Sequence, residues 1–292
     1  GWHGWIFLSQ MLNLQNSVIY WILFWIVAFS YILARLGRRI IPAPIAFVLK
    51  YAGSYWVAAI LYALVLLPLI DIIAIILQFT SINSALSNAV LGYAFCLILL
   101  LIFIRGSWNA SNPIIRRYKI YINKTAGEFR QLRIAVASDL HLGSIIGKKQ
   151  LELFVKHVNS LEPDLILLPG DIIDDDIHPF IKHGMGEILG KLSSKHGTYA
   201  ILGNHEYIGG HIKEYVQEME RIGIEVLMDQ SVKIANGFYV IGRKDRSAQG
   251  FGHGGRMELE ELLEGIVRTS PLILMDHQPY HLDKAAASGI DV

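Results

Sequence analysis

Asp139 and His141 stand one residue apart in "VASDLHLG" (136–143), directly after an apolar run. Farther along, Asp171 and Asp174 follow "DLILLPG", while Asn204, His205 and Glu206 follow "TYAILG", and His277 follows "PLILMD". Carboxylate, amide and imidazole groups are ligands for hard and borderline divalent cations, and imidazole with carboxylate suits Mn, Fe, Zn or Co more than Ca. A lone Asp-x-His arises readily by chance on a surface loop. Asp171 after Pro169-Gly170, and Asn204 after Gly203, are each also good turn residues. Four such groups in order, each closing an apolar run, point instead to one metal-dependent site.

The runs that carry these residues read as strands. "LRIAVAS" (132–138), "DLILLPG" (164–170), "TYAILG" (198–203), "FYVIG" (238–242) and "PLILMD" (271–276) are short, β-rich and largely apolar. Lys148–Leu161, Pro179–Ser193, His211–Ile222 and Met257–Val267 show helical spacing between them. Alternation of this kind predicts an α/β layered domain with helices on the sheet faces. In such sheets functional groups collect beyond the carboxyl ends of strands, which is where the candidate ligands fall.

The first hundred residues differ in kind. Of the 292 residues, 53% are hydrophobic and 17% charged, and the charge is unevenly spread. Through Ile104 the basic residues are Arg35, Arg38, Arg39 and Lys50, and the one acid is Asp71. Ser17–Leu36, Tyr55–Leu77 and Ala89–Ile104 are apolar runs that predict three membrane spans. The basic residues between the first two spans, and Arg105, Arg116, Arg117 and Lys119 after the third, would face one side, assigned to the cytoplasm by the positive-inside rule. Asp71 either marks a polar contact within the membrane or sits near the interface, with Pro68 at the end of span two; the second is the expectation. The single cysteine, Cys96, excludes an intramolecular disulfide and a thiolate metal cluster. A net charge of +1 gives no indication of a nucleic-acid partner.

"SDLHLG", "PGDIID", "GNHEY" and "MDHQP" together resemble the successive motifs of the calcineurin-like metallophosphoesterases. The resemblance covers roughly Gln131 to Val292 and is strongest to bacterial members whose catalytic domain follows membrane spans. It implies a metallophosphoesterase domain with an αββα sandwich over 131–292; the apolar runs give a membrane domain over 1–105, which has no such resemblance, and leave a linker over 106–130. The resemblance also implies a site with two divalent metal ions. Asp139 and His141 would bind the first, Asp171 would bridge both, and Asn204 with His277 would bind the second. His205 would face the substrate, oriented by Asp174. Glu206 remains open between a supporting partner and a solvated loop acid, and Asp175 and Asp176 are expected as exposed loop acids. Arg243, after a strand end, could meet a substrate anion but reads more simply as a surface arginine.

One motif of that family, Gly-His-x-His on a strand after "DHQP", has no counterpart here, and Gly252-His253 precedes His277 and cannot replace it. The expectation is a C-terminally incomplete domain, read as a fragment. The functional expectation is a multi-pass membrane protein, in a bacterial plasma membrane, with a cytoplasmic phosphoesterase domain. Its substrate would be a phosphomonoester or phosphodiester, with a lipid-linked ester suited to the membrane setting. The rival is a non-catalytic membrane protein that binds metal or a phosphorylated ligand, which would have no need of His205 and Asp174.

Overall fold

The computed structural model describes residues 1–12, 14–37, 40–81 and 83–292. Arg38 and Arg39, two of the residues on which the orientation rests, lie outside them. The chain divides into two compact units, Gly1–Ile114 and Ile115–Val292.

The first unit is helical: α1 (Trp2–Leu12), α2 (Val18–Leu36), α3 (Ala43–Gln78) and α4 (Ser84–Ser111). Among the described residues, three helices are long and apolar enough to cross a membrane: Val18–Leu36, Pro44–Gln78 and Leu86–Ser111. Each overlaps one of the three expected spans, but the second begins near Pro44 rather than Tyr55 and takes Lys50, expected in the preceding loop, into the helix. Helices α2 and α3 approach closely at Gly53, where an added Cβ would lie 2.6 Å from Tyr31 Cβ; small residues serve this purpose between apolar helices. Two further features differ from the sequence reading. Helix α1 was not expected, because its 11 residues are too few to span a bilayer. Pro68 does not end span two: α3 runs on to Gln78 and encloses it. Asp71 lies within that helix, 3.0 Å from His3 Nε2 on α1.

The second unit runs β1 (Ile134–Val136), α5 (Lys148–Asn159), β2 (Leu165–Pro169), α6 (Ile177–Lys182), α7 (Met185–Leu189), β3 (Thr198–Ile201), α8 (Asn204–Gly209), α9 (Ile212–Arg221) and β4 (Ile224–Val226). It continues with β5 (Gln230–Ile234), β6 (Phe238–Gly242), α10 (Ser247–Gly250), α11 (Leu259–Leu262), β7 (Leu272–Met275) and α12 (Leu282–Ala287). One sheet has the order β1-β2-β3-β4, all parallel; the other has β5-β6-β7, with β5 antiparallel to β6 and β6 parallel to β7.

The two-residue period of the strands builds the layers. Leu165, Leu167, Tyr199 and Ile201 face inward and form a core with Phe238, Val240, Ile273 and Met275 of the second sheet. Ile166, Leu168 and Ala200 face the other way, onto Leu151, Val155 and Val158 of α5 and Met219 of α9. On the outer face of the second sheet, Tyr239, Ile241 and Leu272 pack on Leu259 and Leu262 of α11. The unit is therefore an α/β domain layered helix, sheet, sheet, helix, and both faces of β2 and β3 are covered, as their unbroken apolar runs require.

All five expected strands are present. Strands β4 and β5 were missed, the first for its three residues and the second for its polar, mostly exposed "QSVKI". The helix expected over Pro179–Ser193 is broken in two at Gly184, whose φ of 59° is left-handed, and only Leu259–Leu262 of Met257–Val267 is helical.

Candidate active site

The loops after β1 and β2 run side by side beyond the sheet. Asp139 N–H donates to Gly170 O at 3.2 Å, His141 N–H to Asp171 O at 3.0 Å and Leu142 N–H to Ile172 O at 2.9 Å. This prolongs the parallel ladder past the strand ends and puts both ligand-bearing loops in register. The backbone is strained where it does so: Asp139, His141 and Asp171 have φ of 57°, 46° and 52°. Left-handed non-glycine residues cost of order 1–3 kcal/mol each and cluster at functional sites.

Gly170, with φ of 87°, completes the crossing. A Cβ there would stand 2.7 Å from Gly203 N and 2.8 Å from His277 Nδ1. The loops after β2, β3 and β7 meet only because no side chain is present at that point.

The side chains converge on Asp171, which is 3% exposed. Its Oδ2 faces three imidazole Nε2 atoms: His277 at 3.3 Å, His141 at 3.7 Å and His205 at 3.9 Å. Its Oδ1 accepts the His205 backbone N–H at 2.9 Å. Burial works against ionisation of Asp171, but hydrogen bonds from His277 and from the His205 amide hold its carboxyl below the usual range. His277 is fixed at both ends: Nδ1 donates to Pro169 O at 2.8 Å, and Nε2 lies 3.2 Å from Asn204 Oδ1. Burial disfavours its imidazolium, yet bonding to Asp171 and Pro169 outweighs this and pushes His277 up to about 9.

All five expected metal ligands are thus brought together. His141 Nε2 stands 4.0 Å from Asp139 Oδ1, and Asp139, His141 and Asp171 form one grouping able to hold an ion, His141, Asp174 and His205 another. Ligand atoms about 2.0–2.2 Å from a cation lie roughly 3–3.6 Å apart; the 4.0 Å and 3.7 Å from His141 Nε2 to Asp139 and Asp171 are within a few tenths of an ångström of that range. The donor set fits too. With Nδ1 of His277 committed to a carbonyl, its Nε2 is the nitrogen left for a metal, the usual arrangement for a ligating histidine.

His205 turns its Nδ1 to two acids. Asp175 Oδ1 is 2.8 Å away and Asp174 Oδ1 3.6 Å, near contacts neither of which forms a hydrogen bond to Nδ1. Asp174 was expected here; Asp175 was not. Asp175 is half-buried, not exposed as expected, whereas the Asp176 side chain is 41% exposed. Asp176 caps α6 by accepting the His178 N–H at 3.0 Å.

Glu206 resolves toward support. It is 2% exposed and accepts four backbone N–H groups: Gly203 at 2.7 Å, Ile172 at 2.8 Å, Asp171 at 3.0 Å and Ile173 at 3.1 Å. One carboxylate therefore ties the loop after β2 to the start of α8. Burial pushes it up to about 7, against the pull of those donors. Gln278 was missed altogether: its Nε2 reaches Asn204 Oδ1 at 3.2 Å and the buried Asp245 at 3.4 Å. The one available signal was its place directly after His277.

Known proteins share this half of the chain. The calcineurin-like phosphoesterase family model matches residues 132–290, more than half of the sequence. The chain is 30% identical over 200 residues to "Transmembrane protein with metallophosphoesterase domain" of Bos taurus, covering 64% of this chain and 44% of that one. It is 28% identical over 197 residues to the protein of the same name in Danio rerio, covering 64% and 44%. To an uncharacterized metallophosphoesterase of Helicobacter pylori strain ATCC 700392 / 26695 it is 30% identical over 189 residues, covering 63% and 48%. The matched region is thus under half the length of each of these relatives. No solved structure gives a significant match. With the family's region spanning all four ligand-bearing loops and the sandwich that positions them, the chain belongs to the calcineurin-like phosphoesterases.

Proposed function

We propose that this protein is a membrane-associated two-metal phosphoesterase that hydrolyses a phosphomonoester or phosphodiester. The observation that carries the reading is the single buried Asp171 oxygen facing three imidazole Nε2 atoms at 3.3–3.9 Å. A carboxylate so placed is suited to bridge two cations. Asp139 and His141 would complete one side, Asn204 and His277 the other. Two divalent ions, of Mn, Fe, Zn or Co character, would activate water and neutralise phosphoryl charge for in-line attack.

The remaining steps belong to the protein. Asp174 and Asp175 stand 3.6 and 2.8 Å from Nδ1 of His205, on the side of the ring away from the Nε2 that faces Asp171, where they would orient it. So oriented, His205 can stabilise the phosphoryl oxygens or give a proton to the leaving oxygen, work worth typically 10²–10⁴-fold. Glu206 keeps Asp171 in place through the backbone. The basic residues flanking the spans favour a cytoplasmic catalytic unit, and apolar helices beside a hydrolase suit a lipid-linked phosphate ester.

Metal content and hydrolysis separate the roles. In the full-length natural protein, Asp171→Ala should lose both metal and activity on p-nitrophenyl phosphate and its bis-p-nitrophenyl analogue. His205→Ala should keep the metal and lose roughly 10²–10⁴ in rate. An empty metal site in His205→Ala would make His205 a ligand. Metal binding without hydrolysis of any ester in the unaltered protein would favour a binding role instead.

A further inference from the structure

Arg243, expected at the surface, is 8% exposed and shares Asp276 with Arg256, at 3.5 and 3.1 Å, a cluster of opposite charges that closes on itself. The exposed imidazoles of His178 and His211 form a cluster of a different kind. His178 stands in the first turn of α6 and His211 directly precedes α9, yet their ring centroids are 4.9 Å apart, edge to face at 88°. Each ring has a carboxylate beside its Nδ1: Asp176 Oδ1 at 2.6 Å from His178, and Glu214 Oε2 at 3.5 Å from His211. Asp176 also accepts the His178 backbone N–H at 3.0 Å, so one side chain sets both the helix cap and the ring. Nothing in the proposed phosphoester chemistry uses this pair of histidines.

A carboxylate at Nδ1 keeps the ring proton there and leaves Nε2 as the free donor, which is how ligating histidines are usually held. Two imidazoles bound at about 2.0–2.1 Å to one tetrahedral zinc have ring centroids roughly 5 Å apart, the spacing present here. The edge-to-face arrangement needs a turn of one exposed side chain to bring both nitrogens onto an ion, a motion of picoseconds to nanoseconds. A helix start disfavours a cation, and the two carboxylates offset that at both histidines.

The position gives such an ion a mechanical role. Gly209, just ahead of His211, lies against the loop after β2: an added Cβ there would run into Asp175 O. The two histidines therefore stand on opposite sides of one contact. On one side is the loop that carries Asp174 and Asp175; on the other is the turn that follows α8, the helix of Asn204 and His205.

We propose that His178 and His211 form a separate metal site for one divalent ion of the imidazole-favouring kind, Zn, Cu or Ni, and that this ion pins the loop of Asp174 and Asp175 to the end of α8. The site itself does not depend on the phosphoesterase reading; any effect on turnover does.

The test is zinc titration of the metal-stripped, full-length natural protein, read as zinc per chain by mass spectrometry after dialysis. His178→Gln with His211→Gln, at two exposed positions, should lower the count by one zinc per chain, and either substitution alone should weaken that zinc about tenfold or more. In the Asp171→Ala protein, whose proposed catalytic ions are lost, zinc should still bind and should need both histidines. Cu²⁺ in its place should give an electron paramagnetic resonance spectrum split by two imidazole nitrogens. Hydrogen exchange over residues 174–178 and 208–212 should slow when this zinc binds, and should not change in the double-histidine variant. Equal zinc counts with and without the two histidines overturn the proposal. A deficit of one zinc with unchanged exchange keeps the ion and removes its pinning role. A full zinc complement in Asp171→Ala, still reduced by one without the histidines, would remove the reading of Asp171 as a bridge and leave this site standing.

Discussion

Removing the Glu206 carboxylate should destabilise the second unit by an amount that depends on pH. Glu206→Ala leaves the buried N–H groups of Asp171, Ile172, Ile173 and Gly203 without their acceptor. Each such loss costs roughly 1–3 kcal/mol, so four give about 4 kcal/mol at the low end. The native residue carries an opposing cost that appears only on ionisation. Its folded value of about 7 stands above the ordinary 4.5, so its stabilising contribution is full below about 4.5 and is lost as pH rises through about 7. At about 1.4 kcal/mol per unit that loss reaches roughly 3 kcal/mol. The metal-free variant should therefore trail the native protein by about 4 kcal/mol at pH 5 and only about 1 kcal/mol at pH 8. For a unit of this size these differences correspond to Tm deficits of roughly 8–16 °C and 2–4 °C. His277 titrates in both proteins and cancels from the comparison. Thermal melts of chelator-treated protein in detergent, across this pH range, measure the difference. A deficit that stays constant with pH, or one under about 2 °C at pH 5, would refute the reasoning.

Three further outcomes follow from the same geometry. Because His277 rests up to about 9 without metal, a cation must displace its Nε2 proton. Metal affinity should then fall by up to about tenfold per unit as pH drops below 9, and calorimetry in buffers of different ionisation heat should record the released proton. Gly170→Ala should cost at least ~2 kcal/mol and sharply weaken metal binding, since its Cβ would meet Gly203 N and His277 Nδ1 at 2.7 and 2.8 Å; a melt with metal titration checks both. A reporter fused after Tyr118 should register the cytoplasm, and activity on the opposite side of the membrane would reverse the orientation.

The ligand-bearing loops were legible because each closes an apolar strand, and a strand buried on both faces leaves little choice of what its run can be. The support around them was not. Glu206 follows a histidine in a polar loop, where an acid is ordinarily solvated; only the crossing at Gly170 and Gly203 buries it among four N–H groups. Asp174 and Asp175 are adjacent in sequence, and the turn into α6 determines which lies nearer His205. Arg243, Arg256 and Asp276 are separated by 33 and 20 residues along the chain, so no local pattern announces their cluster. Strand β5 hides for a similar reason. Its alternation is carried by an exposed edge that offers few apolar residues to read. In the membrane unit, composition gave the spans, whereas the His3–Asp71 contact depends on how α1 packs and left no trace in the hydropathy.

The claim that Asp171 joins two cations is tested most directly by electron paramagnetic resonance of the full-length protein loaded with Mn²⁺. Two ions about 3.5–4 Å apart and sharing a carboxylate should give an exchange-coupled spectrum at two Mn per chain, and Asp171→Asn should replace it with the signal of isolated Mn²⁺. An isolated-ion spectrum from the unaltered protein, at one Mn per chain and unchanged by Asp171→Asn, would contradict the account.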